Sequence, residues 1–314
     1  MKFSLSITLL SALSLVAAHG TVANLQIGGK NYTGPDAAEG NPFRTTDTPV
    51  RQLALLEPIN DITSEENICG RGAASSAKLV APVSAGSSFS FSMRGGSGAH
   101  WPHNKGPVLY YLAKCPGSAA DCNPANLKFF KVGQLGLKPS GQNAWWQEDL
   151  YNGGSVSGDI PKKIDNGDYL LRIEILALHN AMNVGGAEST VSCSQIRISG
   201  GSGGAPSASQ LVKFPAYKKT DKGIHIDIWN GINSYSFPGP ALFTGGSSSN
   251  STSSTSVPIN AAPAPTKTTL PVPSTTKVCR RHRSRRAVVI DGATLHRRAA
   301  SRVHGSSLRY AANH

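Results

Sequence analysis

The run Ala17-Ala18-His19-Gly20 is the first place in this 314-residue sequence where residue types and spacing could do chemistry. Residues 1–18 read as a secretory signal peptide. Lys2 supplies a positive start, Ile7 to Val16 an apolar stretch, and Val16-Ala17-Ala18 a small-residue cleavage site. Cleavage after Ala18 makes His19 the first residue of the mature chain. An N-terminal histidine carries two nitrogen donors, its α-amine and a ring nitrogen. The α-amine titrates near pH ~8 and gives up its proton to a metal at modest cost. One further imidazole completes a planar three-nitrogen set, which suits Cu(II) better than the tetrahedral preference of zinc.

Such a set needs a rigid scaffold, and residues 19–243 supply β-strand patterns for one. Thr21 to Ile27 runs into a Gly28-Gly29 turn, as in a hairpin. Ser87 to Met93 alternates polar and apolar residues, and Val108 to Ala113 is a nearly continuous apolar run expected at the centre of a sheet. Tyr169 to His179 is long and strand-like, with charged residues on one face, and Ser194 to Ile198 and Ile224 to Trp229 alternate again. Short strands punctuated by Gly and Pro predict an all-β fold, an antiparallel β-sandwich with long loops.

Removal of residues 1–18 leaves 296 residues, enough for one large domain or two small ones. No second apolar stretch reaches the ~18 residues of a membrane span, so a secreted chain without a transmembrane segment is expected. Of five cysteines, four can form two disulfides. Cys115 and Cys122 suit a small loop staple; Cys69 with Cys193 would then tie distant strands, and Cys279 is left over. Asn31 and Asn250 lie in N-glycosylation sequons. The net charge of +13 belongs mostly to the end of the chain, because residues 244–314 hold 11 basic residues and one Asp. Residues 244–278 read as a Ser/Thr/Pro-rich linker and 279–314 as a basic disordered tail. Charge alone would let that tail touch nucleic acid, but a secreted chain argues against such a role. No paired carboxylates stand in a setting that suggests a conventional glycosidase.

The sequence resembles the fungal lytic polysaccharide monooxygenases of auxiliary activity family 9, once classed as glycoside hydrolases. The resemblance is carried by His19-Gly20, Gly106-Pro107-Val108 with Tyr111-Leu112-Ala113, Phe129-Phe130-Lys131-Val132, Leu171 through His179, Gly186-Ala187 before Cys193, and Gly223-Ile224 through Pro238-Gly239-Pro240. These follow the family's order across nearly all of residues 19–243. The resemblance implies an immunoglobulin-like sandwich, one copper ion per domain, and oxidative cleavage of β-1,4-linked polysaccharide, typically cellulose, at C1 or C4 with O2 or H2O2. It further implies a small-molecule or enzymatic electron donor, a monomeric chain, and the pairings Cys69–Cys193 and Cys115–Cys122.

Residue by residue, His19 matches the first ligand of the family's histidine brace. The second ligand is expected in His100-Trp101-Pro102-His103, with His103 preferred and His100 as the alternative. His179 matches the histidine that hydrogen-bonds oxygen species near the metal. The chain then departs from the pattern. Glu188 stands where the family has Gln, and Thr190 stands where it has the Tyr whose hydroxyl occupies an axial position. Thr190 is too short to reach that position, which leaves turnover the point to test. Trp229, and after it Trp101, are the aromatics expected to stack on sugar rings. Gly34-Pro35 lies where relatives carry a surface Tyr, so an aromatic-poor face is expected.

Overall fold

The computed structural model describes residues 20–36, 47–73, 75–96, 99–139 and 143–245. The expected signal peptide, His19, Asn250, Cys279 and all but the first two residues of the expected linker and tail lie outside these. The chain divides into Met1–Ser254 and Thr255–His314, and the second unit lies wholly outside the described residues.

Two sheets form the framework. The first is antiparallel, in the order β2-β1-β4-β7: β1 (Gly20–Ile27), β2 (Lys30–Thr33), β4 (Ser88–Gly95) and β7 (Ser155–Asp159). The second runs β3-β9-β8-β5-β6: β3 (Ala81–Ser84), β5 (Val108–Lys114), β6 (Phe130–Leu135), β8 (Gly167–Ala177) and β9 (Glu188–Ser199). All its pairings are antiparallel except β3 on β9. One short helix, α1 (Gln147–Tyr151), precedes β7.

The β8 pattern explains the layering. Side chains alternate between the faces of a strand. Leu171, Ile173 and Ile175 point into the core between the sheets, with Leu25, Phe89, Phe91, Val108, Tyr110 and Ile196. Leu170 and Leu176 point the other way, into a second core closed by Ile62, Ile68, Phe214, Tyr217 and Ile228 of the loops. Long loops therefore give the larger sheet a second covered face, and β8 is buried along almost its whole length.

That covering changes the reading of the charged residues on β8. Arg172 and Glu174 are fully buried. Their two-pronged ion pair has N···O distances of 2.9 and 3.0 Å. Arg172 also donates to the carbonyls of Asn67 and Ile68, and lies 3.6 Å over the Phe214 ring. The Tyr217 hydroxyl donates to Glu174 at 2.6 Å and lies 2.7 Å from the Tyr111 hydroxyl. Every charged group in the pair has a partner, the condition under which burial of charge is tolerated.

Cys69 pairs with Cys193, 124 residues apart, and Cys115 with Cys122. Ile224 to Trp229 corrects the strand expectation. It alternates but pairs with no strand, and its backbone is irregular, tied instead to the β8–β9 connection by Ile226 N–H donating to the Ala181 carbonyl at 2.9 Å.

Candidate metal centre

The end of β8, the start of β9 and the loop before β5 converge at one end of the larger sheet. His179 follows β8 by two residues, and Glu188 opens β9 opposite Ala177. The turn between them is closed by three short-range hydrogen bonds: Ala181 to Leu178, Asn183 to Asn180 and Gly186 to Asn183. The third group arrives on the loop 99–107. Leu176 N–H donates to the Pro107 carbonyl and Leu178 N–H to the Lys105 carbonyl, stitching that loop to the strand that leads to His179. Gly106 makes the approach feasible. Its φ is +135°, and a Cβ there would lie 1.9 Å from the Leu176 oxygen.

The outcome is a compact trio. Nε2 of His103 lies 3.8 Å from Glu188 Oε2, and Nε2 of His179 lies 3.7 Å from Glu188 Oε1. Their ligand-type atoms all fall within 4.8 Å of one another, and among the described residues no other such group of His, Cys, Asp and Glu forms. His103 and Glu188 are mostly covered, while the His179 side chain keeps 31% of its surface exposed. His179 Nδ1 is buried with no hydrogen-bond partner among the described residues.

The other expected residues fall out differently. His100 is exposed and bridges to Arg94, with its ring against Gly153, and is not part of the trio. Trp101 offers no stacking face: it is 1% exposed and meets the His103 ring edge-on at 5.4 Å. It is a wall behind His103, buried in the core between the sheets. Trp229 is 57% exposed, and its Nε1 donates to the His179 carbonyl at 3.0 Å. Two neighbours escaped the sequence reading. Met182 and Val184, on the β8–β9 turn that follows His179, are also exposed; no periodicity marks residues in a turn. Asn31 is exposed on the edge strand β2.

Thr190 shares the face of β9 with Glu188, two residues on. It is almost buried, and lines a cavity of about 10 Å³ together with Gly20, the first described residue of β1. Gly20 is held by pairing with Gly95. The residue joined to it in sequence is His19.

A model of Auxiliary Activity family 9 (formerly GH61) matches residues 19–237. The chain belongs to this family. Among curated family 9 proteins, lytic polysaccharide monooxygenase D of Gloeophyllum trabeum is 38% identical over 236 residues, covering 74% of this chain and 66% of that protein. Lytic polysaccharide monooxygenase C of Geotrichum candidum is 34% identical over 262 residues, covering 80% of this chain and 46% of its own length. The chain thus spans two thirds or less of these two relatives. The crystal structure of HiLPMO9B superposes with a TM-score of 0.64 at 33% identity, covering 72% of this chain and all of that one. The family 9 fold, a β-sandwich of two sheets with few helices, is the fold described above.

The residues present suit the copper that family 9 enzymes carry. His103 brings a largely covered imidazole whose Nε2 faces the trio, and neutral imidazole is a good donor for copper. Gly20, which His19 precedes in the sequence, lines the same cavity as Thr190.

Proposed function

We propose that this chain is a secreted, monomeric, copper-dependent monooxygenase that cleaves β-1,4-linked polysaccharide, cellulose foremost, by oxidation at C1 or C4 with O2 or H2O2. The observation that carries the reading is the convergence of His103, His179 and Glu188, with Thr190, two residues beyond Glu188, sharing a cavity with Gly20. The reading divides the chain into a signal peptide (1–18), the oxidative domain (19–243), a linker (244–278) and a basic tail (279–314). It also takes Asn31 and Asn250 as glycosylated.

The α-amine and ring of His19, with the ring of His103, would hold the copper. A residue bonded to Gly20 has its Cα about 3.8 Å away, which limits where those donors start. Bound copper supplies one-electron redox chemistry, driven by a small-molecule or enzymatic electron donor, and an open position for the oxidant. The protein's part is positional. Trp101 walls one side of His103 and keeps water from it. Nε2 of His179 faces the trio, where it can hydrogen-bond an oxygen species, and the Glu188 carboxylate lies 3.7 Å from it. Trp229 offers an exposed ring for a sugar face, anchored through Nε1 to the main chain of His179.

A second reading is a copper- or carbohydrate-binding protein of the same fold with little oxidative turnover. Thr190 favours it, because a short, almost buried side chain stands where a phenol is expected. One experiment separates the two. The chain beginning at His19 is loaded with copper and incubated with swollen cellulose and ascorbate, and products are read by mass spectrometry beside a His103→Ala control. Oxidised oligosaccharides that vanish in the variant support the enzyme and report C1 or C4. Copper retained without oxidised products supports the binding protein.

A further inference from the structure

We propose that His103, His179 and Glu188 form a divalent-metal site of their own, a two-histidine, one-carboxylate set that does not need the α-amine of His19. The carboxylate is what makes the set complete. Glu188 reaches Nε2 of both histidines with different oxygens, at 3.8 and 3.7 Å. Metal–ligand bonds of about 2.0–2.2 Å at tetrahedral angles place neighbouring ligand atoms about 3.4 Å apart. The ligand-type atoms of the three residues lie within 4.8 Å of one another, so side-chain rotation has to draw them together by about 1 Å.

The two histidines are already neighbours, although the in-plane Nε2 lone pairs of stacked rings do not yet converge on one point. The rings lie face to face, with centroids 4.7 Å apart and planes 10° from parallel, and their chains are stitched together at Lys105–Leu178 and Pro107–Leu176. A cation between the Nε2 atoms and the carboxylate therefore asks one ring to turn out of the stack, while the stitched main chains keep both histidines within reach of Glu188. A glutamine at position 188 would offer only a neutral amide oxygen. The glutamate supplies a negative charge and a hard donor beside two imidazoles, a donor set that zinc accepts while retaining an open position.

This site shares His103 with the copper brace, so the inference rests on that reading only through one ligand. The two modes compete where the amine is free. Where any residue precedes His19, the amine becomes an amide and the trio is the remaining donor set, so an unprocessed chain would still take up metal.

The test uses two forms of the chain, one beginning at His19 and one carrying a single Gly before it. Zn2+ binding is followed by calorimetry, and Co2+ by its visible spectrum. The extended form is expected to bind one Zn2+. Glu188→Gln is expected to weaken that binding at least about tenfold, in the range of losses typical at metal sites, and to change the Co2+ spectrum. Thermal unfolding without metal checks that the variant is folded; a misfolded Glu188→Gln would be replaced by Glu188→Asp, for which the same weakening is expected. An extended form that binds no Zn2+, or a folded Glu188→Gln that binds as tightly as the parent, overturns the proposal. The brace is judged separately. If the His19-initiated form holds Cu2+ no more tightly than the extended form, the brace fails while the trio still stands or falls on Glu188.

Discussion

The imidazole rings of His103 and His179 stack 4.7 Å apart although 76 positions separate them in the chain. Neither residue lies in a strand. Their alignment comes from the main-chain bonds of the loop 99–107 to Leu176, near the end of β8, and to Leu178 just beyond it, and those bonds depend on Gly106.

Gly106→Ala should therefore act on the metal centre from a distance. Its Cβ would meet the Leu176 carbonyl at 1.9 Å, and its φ of +135° is unfavourable for any side chain. We expect a loss of at least about 2 kcal/mol in stability, combining strain with the displaced loop. Copper affinity should fall with it, because His103 moves with the loop. Denaturant unfolding and copper titration on the same variant check both effects.

Trp229 has two jobs that two substitutions separate. Trp229→Phe removes the Nε1 donation to the His179 carbonyl but leaves an aromatic face. Trp229→Ala removes both. Loss of the ring should weaken adsorption to cellulose about tenfold, matching about 1.4 kcal/mol of aromatic contact. Trp229→Phe should retain most of that adsorption. Adsorption isotherms with the three proteins, with copper affinity measured alongside, decide the assignment.

The buried pair Arg172–Glu174 bears on stability. Glu174→Gln keeps the shape but leaves a guanidinium without its counter-charge in a dry environment. Such a break typically costs about 3–5 kcal/mol. Burial pulls the Arg172 guanidinium toward the neutral form, and Glu174 more than restores its charge. The double replacement Arg172→Met with Glu174→Leu should recover much of the loss, since no uncompensated charge remains. Urea unfolding midpoints of the two variants test the order.

Much of this scaffold was legible because its strands carry strong periodic signals. Val108 to Ala113 has no polar residue to break the run, and it is a central strand. The Gly28-Gly29 turn marked the β1–β2 hairpin. The burial of the β8 charges was not legible, because alternation reports which residues share a face and not what lies over it. The cover comes from residues such as Ile68 and Phe214, far away in sequence. The same limit explains Ile224 to Trp229, where alternation met no partner strand. At the site, His103, His179 and Glu188 could be named individually, but their mutual distances depend on a loop-to-strand register that no local pattern encodes. Trp101 shows the converse: an aromatic beside a candidate ligand reads as a contact surface, and packing turned it inward.

Alkaline pH should expose the opposing demands of buried phenols and a buried amine. Burial pushes the Tyr169 phenol up to about 12 and raises Tyr110, Tyr111 and Tyr217 further, with the nearby carboxylates Asp165, Asp159 and Glu174 adding to the effect. In the unfolded chain these groups release protons near pH ~10. Above that pH the unfolded state holds fewer protons than the folded state, so stability falls as pH rises, by about 1.4 kcal/mol per pH unit for each phenol kept protonated. Lys131 acts with the opposite sign. Burial lowers its ammonium to about 8, partly offset by Glu174, although it donates to the Pro238 carbonyl at 2.7 Å. Between about pH 8 and its unfolded value near ~10.5 the unfolded state binds more protons, and stability rises. The expected profile is a shallow gain above pH ~8 followed by a steep loss above pH ~10. Lys131→Met should abolish the gain and leave the loss. Urea unfolding across this range, with tyrosine ionisation followed by ultraviolet absorbance, checks both limbs. A gain that survives in Lys131→Met would remove Lys131 from the explanation, and phenols that titrate before unfolding would remove the tyrosines.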